Sequence, residues 1–276
     1  MLFVEYSAME SFLEEASLIE RILNNSSVGD DIKSSACIAG GCLRAIFARE
    51  KISDVDLYPY TQEGCNQLAN RIRSEANKDT NNLTIIYESN LAVTFKENGM
   101  TYQLISNPEL IVKGESHTRR VEGVKDLLSR FDFTIGMAAY VPIDDTIVMH
   151  ESFFNHLAQR KIVFNPDTQF PIPSLARIRK FVKRGYTFDD RELVKMGVAI
   201  ARLNIETMED LAQELRGLDE PLMGGLYARL QSHGNREFDW DTMIDDIERE
   251  ISVQLSSNFT STHNYGVSPL SDLIPF

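Results

Sequence analysis

Gly40-Gly41-Cys42-Leu43-Arg44, followed after a nine-residue spacer by Asp54-Val55-Asp56, is the stretch that most narrows what this chain can fold into. Two carboxylates at i and i+2 on an extended segment project from one face of a strand. A preceding glycine pair lets backbone amides come close to a phosphate. A short apolar run from Ser35 to Ala39 leads into the glycines, Leu43 to Glu50 reads as a helix, and Asp54 to Tyr58 reads as a second strand. Amides and the helix dipole at such a turn favour a phosphate, and hard carboxylate oxygens suit Mg²⁺ that bridges phosphates. Arg44, one turn into the helix, is placed to neutralise a phosphate, although a surface cation contributing little has the same spacing. A lone Asp-x-Asp is common at solvated strand ends, so the glycine turn gives the pair its meaning.

The chain has 276 residues, enough for a substantial core, and the expectation is two domains. With 43% hydrophobic and 25% charged residues it falls in the ordinary globular class. A net charge of -13 excludes a general nucleic-acid coat, because phosphate affinity comes from Lys and Arg that release counterions. One basic cluster, Arg177, Arg179, Lys180, Lys183 and Arg184, forms a broad stripe at helical spacing, suited equally to an RNA acceptor or to the protein's own carboxylates. Cys37, Cys42 and Cys65 lack paired spacing, so neither a disulfide frame nor a zinc site is expected. The start carries Glu5, Glu10, Glu14 and Glu15, unlike a signal peptide, and no apolar run is long enough to span a membrane. A soluble, cytoplasmic protein with no membrane partner is expected.

Apolar residues from Met9 to Leu23 recur at three and four, predicting one amphipathic helix. Thr61 caps a helix whose apolar face is Leu68, Ala69 and Ile72. Strands are expected at Leu83 to Tyr87, Leu91 to Phe95 and Met100 to Ile105, the last two joined by an Asn98-Gly99 hairpin. Pro108 to Lys113 and Val121 to Arg130 read as helical, while Phe131 to Tyr140 is apolar without a diagnostic period. Beyond Pro142, Ile147 to Met149 and Lys161 to Phe164 read as extended, and Phe153 to Arg160 as a short helix. Helices are expected over 174–184, 188–203, 206–217 and 241–256, then a poorly packed tail. The scattered histidines read as surface or core residues, and Trp240 as a packing anchor at a helix start.

Gly40, Gly41, Arg44, Asp54 and Asp56 resemble the first motif of the nucleotidyltransferase superfamily of DNA polymerase beta, in particular the head of CCA-adding enzymes and bacterial poly(A) polymerases. Ala45 stands where that motif has an Asp. Asp126 to Ile135 is similar to a second motif of the same family: Arg130, Asp132, Phe133, Thr134 and Ile135 match, while Phe131 and Gly136 replace an Arg and an Asn. A weaker likeness runs through Lys161 to Phe164 to Gly185-Tyr186, but Phe170 to Pro173 occupies the place of the base-selecting Glu-Asp-x-x-Arg.

The resemblance implies an α/β (α+β) fold: a small mixed sheet flanked by helices, followed by a helical C-terminal region. It places an N-terminal helix at 1–30, the head at 31–142, a linker and neck at 143–188, a helical region at 189–256 and a tail at 257–276. It also implies attack of an acceptor hydroxyl, most readily an RNA 3′ end such as that of tRNA, on the α-phosphate of an NTP, with release of pyrophosphate. Asp54 and Asp56 would be catalytic and hold Mg²⁺ or Mn²⁺; Gly40, Gly41, Arg44, Arg130 and Asp132 would bind the nucleotide. Many members hold a second ion with a third carboxylate on a neighbouring strand, where this chain has Gln103, leaving Glu97 or Glu88 as substitutes. The alternative is a catalytically impaired version of the fold that binds a nucleotide or partner without turnover.

Overall fold

The computed structural model describes residues 1–78, 82–215, 228–246 and 249. Contacts divide the chain into two units, Met1–Ala201 and Arg202–Phe276. In the first unit the elements run β1 (Phe3–Ser7), α1 (Ala8–Ser11), α2 (Leu13–Asn24), α3 (Gly29–Ser35), β2 (Ala36–Ala39), α4 (Gly41–Phe47), β3 (Val55–Pro59) and α5 (Gln62–Ala76). They continue through β4 (Thr84–Glu88), β5 (Ala92–Glu97), β6 (Met100–Ile105), α6 (His117–Ser129), β7 (Ala138–Val141), β8 (Thr146–His150), α7 (Phe153–Ala158), α8 (Pro171–Lys183) and α9 (Asp190–Ala201). This is the expected mixed α/β architecture.

The strands form one sheet of eight in the order β1-β8-β7-β2-β3-β6-β5-β4. Its pairings are antiparallel except β3 with β6, which are parallel. Alternation along the strands gives the sheet two faces. Ile38, Leu57, Phe95, Tyr102, Leu104 and Ile147 join the larger core with Ile19 and Leu23 of α2 and Leu68 and Ile72 of α5. Cys37, Ala39, Ala139 and Val148 face the other way and pack with Val121, Val124, Leu127 and Leu128 of α6. No residue of β5 or β6 belongs to that second core. Helix α6 therefore covers one half of its face and leaves the β3-β6-β5 side uncovered among the described residues.

Local signals fare well where backbone chemistry decides. Thr61 caps α5, its side chain accepting from the Gly64 amide at 3.0 Å. Asn98 and Gly99 have φ of 47° and 82°, the left-handed pair that a tight hairpin needs. Contacts from distant residues change other expectations. The helix predicted from Met9 to Leu23 is broken at Phe12, which leaves helical dihedrals (φ -141°, ψ 51°) and seats its ring against Tyr6, Phe47 and Phe154. Strand β1 is unanticipated and pairs with distant β8. Helix α3 is likewise unanticipated; a Cβ on Gly29 would lie 2.0 Å from the Leu23 carbonyl, so glycine permits the tight approach to α2.

Residues 108–113, predicted helical, form only a 3-10 turn at Pro108–Leu110, after which Val112 and Gly114 donate to the carbonyls of Pro59 and Tyr60. The ambiguous apolar run resolves into a 3-10 turn, Thr134–Gly136, and β7. Lys161 and Phe164 make isolated bridges instead of a strand. Strand β8 lies within the segment expected as linker.

The second unit contains α10 (Met208–Glu214), which begins with a capping box of Thr207 and Asp210, and helical residues at 228–233 and 240–246. Met208, Leu211, Ala212, Leu215 and Leu230 are buried there. Trp240 starts a helix as expected but is 65% exposed, its edge against Phe238, so it is not a buried anchor. The remainder of the 241–256 helix and the 257–276 tail lie outside the described residues.

Tyr60 is buried beside the Arg120 guanidinium, which sits 5.6 Å from its ring centroid, yet its hydroxyl has no hydrogen-bond partner among the described residues. Burial holds its phenol well above the ordinary range. Tyr60→Phe removes a polar atom that gains nothing on folding, so stability is expected to hold or rise by up to about 1 kcal/mol. Urea denaturation checks this, and a loss of more than about 1 kcal/mol would contradict it.

Candidate functional site

The site grows from the β2-turn-α4 unit. All four residues of β2 are buried, and its chain leaves the sheet at Gly40, with φ 81° and ψ -127°. Only glycine adopts that conformation without strain. A Cβ on Gly40 would sit 3.2 Å from the Phe131 ring and 3.9 Å from Asp56 Oδ2, so the turn lies directly beside the carboxylate. Gly41 then opens α4, whose Cys42, Leu43, Ala45 and Ile46 are buried.

Asp54 precedes β3 and Asp56 lies within it, alternating with buried Val55 and Leu57. Asp56 is thereby directed to the α6 side of the sheet, and Asp54 stands two residues before it at the strand's entrance. In register, Asp56 lies opposite Ala39 of β2 and beside Gln103 of β6, where the second face is uncovered. The Ser53 hydroxyl donates to Asp54. Burial raises the Cys42 thiol, and the negative charges of Asp56 and then Asp54 raise it further, so both carboxylates act electrostatically on the first turn of α4. Cys42 consequently stays protonated and is no nucleophile.

Phe131 and Tyr58 form an aromatic wall beside the carboxylates, ring centroids 5.8 Å apart. Neither stood out as a site residue in the sequence. The alternation of Asp54, Asp56 and Tyr58 was the available signal for Tyr58; Phe131 reaches the Gly40 turn only through the tertiary fold.

The other candidates are placed differently. Arg44 is 3% exposed. Its guanidinium donates to the Glu50 carboxylate, lies 3.5 Å from the Tyr186 hydroxyl and stands over the Phe181 ring at 5.3 Å, with Nε buried and without a partner among the described residues. This engagement is internal. Arg130 pairs with Asp126 at 2.7 Å and donates to the Glu109 carbonyl. Asp132 accepts from Arg177 at 2.7 Å, joining the second motif to α8. Thr134 meets His156 Nδ1 at 2.8 Å, and burial lowers the His156 pKa, so that motif residue braces the fold. In the basic cluster Arg177 has this carboxylate partner, while Arg179, Lys180 and Lys183 are exposed on α8.

The expected substitutes for a third carboxylate are committed elsewhere. Glu97 is 3% exposed and lies on the core face of β5, accepting from Ser26 Oγ at 2.6 Å and the Ser27 amide at 3.0 Å. Glu88 pairs with Arg73 at 2.6 Å. Among the described residues no group of three His, Cys, Asp or Glu is arranged to hold a metal. Two adjacent carboxylates do suit a single Mg²⁺ whose remaining ligands are substrate phosphates and water. No helix among the described residues is long and apolar enough to cross a membrane.

The fold is like that of a CCA-adding enzyme solved with CTP, at TM-score 0.51 and 16% identity, over 96% of this chain and 58% of that one. The same enzyme type with ATP matches at TM-score 0.50 and 15% identity, over 96% and 57%. At such identity the likeness is one of fold. A curated relative, Gabija anti-defense 2 of Bacillus phage SPbetaL7, is 27% identical over 187 residues, covering 67% of this chain and 42% of the relative. The chain thus spans less than half of that relative's length. Residues 13–160, more than half of the chain, match a family that the motifs did not name, and they contain the glycine turn, both carboxylates and the second motif. The chain belongs to the Gabija anti-defense 2 family.

Proposed function

We propose that this protein is an NTP-dependent nucleotidyltransferase that moves a nucleoside monophosphate onto an acceptor hydroxyl, most readily an RNA 3′ end, and that this activity serves to counter the defence named in its family. The observation carrying the reading is the juxtaposition of Asp54 and Asp56 with the positive-φ Gly40 turn on the uncovered side of the sheet. The likeness to enzymes solved with CTP and ATP supports it, and the exposed cations of α8 are suited to an RNA backbone. In this reading the catalytic head is residues 31–142 together with β1 and β8, which complete its sheet; the rest of 1–30 packs on it, linker and neck run from β8 to residue 188, and the helical region follows.

The residues divide the work by position. The Gly40 amide is taken by the Ala138 carbonyl at 3.0 Å, so the Gly41 amide that opens α4 is assigned to a triphosphate oxygen, and Gly40 keeps a side chain out of the space beside Asp56. Asp54 and Asp56 hold Mg²⁺ or Mn²⁺, which when bound supplies positive charge to the α-phosphate and leaving oxygens. Arg44 is assigned to bracing α4 from behind, and Asp132 with Arg177 to fixing α8 beside the second motif. Phe131 and Tyr58 limit water on one flank of the carboxylates.

The test is incubation with each α-labelled NTP, Mg²⁺ or Mn²⁺, and total RNA or protein as acceptor, beside Asp54→Ala/Asp56→Ala. Label entering RNA and lost in the double variant is the expected result. Label on protein would reassign the acceptor, and no transfer to any acceptor would overturn the enzymatic reading.

A further inference from the structure

We infer that the site takes one divalent cation per bound nucleotide, and that Gln103 is the residue that keeps it from taking two. The inference rests on the proposed nucleotidyl transfer and specifies the metal content of that site.

Sheet register carries the argument. Residues directly beside one another on adjacent strands share a face and stand about 5 Å apart. Asp56 has Ala39 on one side and Gln103 on the other, and Gln103 in turn lies opposite Thr94 of β5. The row across the uncovered face is therefore alanine, aspartate, glutamine, threonine. Gln103 Nε2 lies 3.5 Å from Thr94 Oγ1, consistent with its amide facing this row. On the same face of β5, two residues beyond Thr94, stands Lys96, a cation.

Charge and donor chemistry then set the count. Asp54 and Asp56 together offer two negative charges, matching one dication. A second ion a few ångströms away must overcome the repulsion of the first, which metal pairs accomplish with further anionic ligands. The adjacent donor here is a neutral amide, a weak ligand for a hard cation in competition with water. Glu97 cannot lend its charge: β5 alternation turns it to the core face with Phe95, and Ser26 and Ser27 already occupy it. Glu88 is held by Arg73 at the edge strand. Among the described residues no third acidic, His or Cys side chain joins the two aspartates, so they would hold one ion together with the triphosphate.

The measurement is the number of Mn²⁺ ions held per bound nucleotide. It is read by electron paramagnetic resonance with saturating protein and the non-hydrolysable α,β-methylene analogues of ATP and CTP. Wild type is expected to hold one, and Gln103→Leu one. Gln103→Glu is expected to hold two, the second tightened about tenfold or more by the added charge. Circular dichroism melting of each variant reports folding, and Gln103→Asp stands in if the Glu variant fails to fold. Two tight ions in wild type, or an unchanged count in a folded acidic variant, would overturn the inference and leave nucleotidyl transfer standing. Absence of nucleotide and Mn²⁺ binding in every variant would overturn both.

Discussion

Glu50→Ala is expected to destabilise the protein by about 3 to 5 kcal/mol, because it strands a buried guanidinium. Arg44 is 3% exposed, and Glu50 is its charge partner in the structure. Glu50 also accepts from the Tyr186 hydroxyl at 3.2 Å and stands 3.7 Å from Arg160. Without it, Arg44 keeps, among the described residues, the Tyr186 oxygen and the Phe181 ring, and Nε has no partner there. A ring face and one neutral oxygen offset part of the desolvation of a cation, far less than a carboxylate does. Arg44→Met/Glu50→Leu should recover most of the loss, since replacing both charges by apolar groups removes the penalty on each. Urea denaturation of the three variants decides the matter. A loss below about 1 kcal/mol for Glu50→Ala would mean that Arg44 reaches water in the variant, and would count against its bracing role.

Asp56→Asn should show the opposite profile, with nucleotidyl transfer reduced by at least about 100-fold and stability changed by less than about 1 kcal/mol. Asparagine keeps the shape and polarity of the side chain on the uncovered face of β3. What disappears is one of two negative charges from which a dication gains most of its binding. Like charge between Asp54 and Asp56 is also relieved, which offsets part of whatever the substitution costs in folding. Labelled-nucleotide transfer and thermal melting on the same preparation give the two numbers. Transfer retained within about threefold of wild type would remove Asp56 from the catalytic machinery. Transfer and folding lost together would make it a structural residue.

The sequence by itself determined the features whose causes are local. Thr61 at the start of α5, the Asn98-Gly99 hairpin, and the glycine turn between β2 and α4 each depend on a few consecutive residues and their permitted dihedrals. Period-two alternation was enough to give Asp56 its face of β3 and Gln103 the position beside it. The general architecture followed from the order of those elements.

Tertiary structure decided what each charge does. Arg44 looked available to a phosphate because its spacing from Gly41 is right, yet Tyr186, 142 residues away, and Phe181 enclose it. Glu97 looked near enough to assist, but the loop between α2 and α3 takes its carboxylate into the core. Asp132 found Arg177, and Phe131 came to rest against the Gly40 turn. Strand β1 and the break at Phe12 likewise answer to β8 and to a cluster of rings. Backbone propensity acts over a turn or two of chain, whereas an ion pair or ring contact is set by which distant segments the fold brings within a few ångströms.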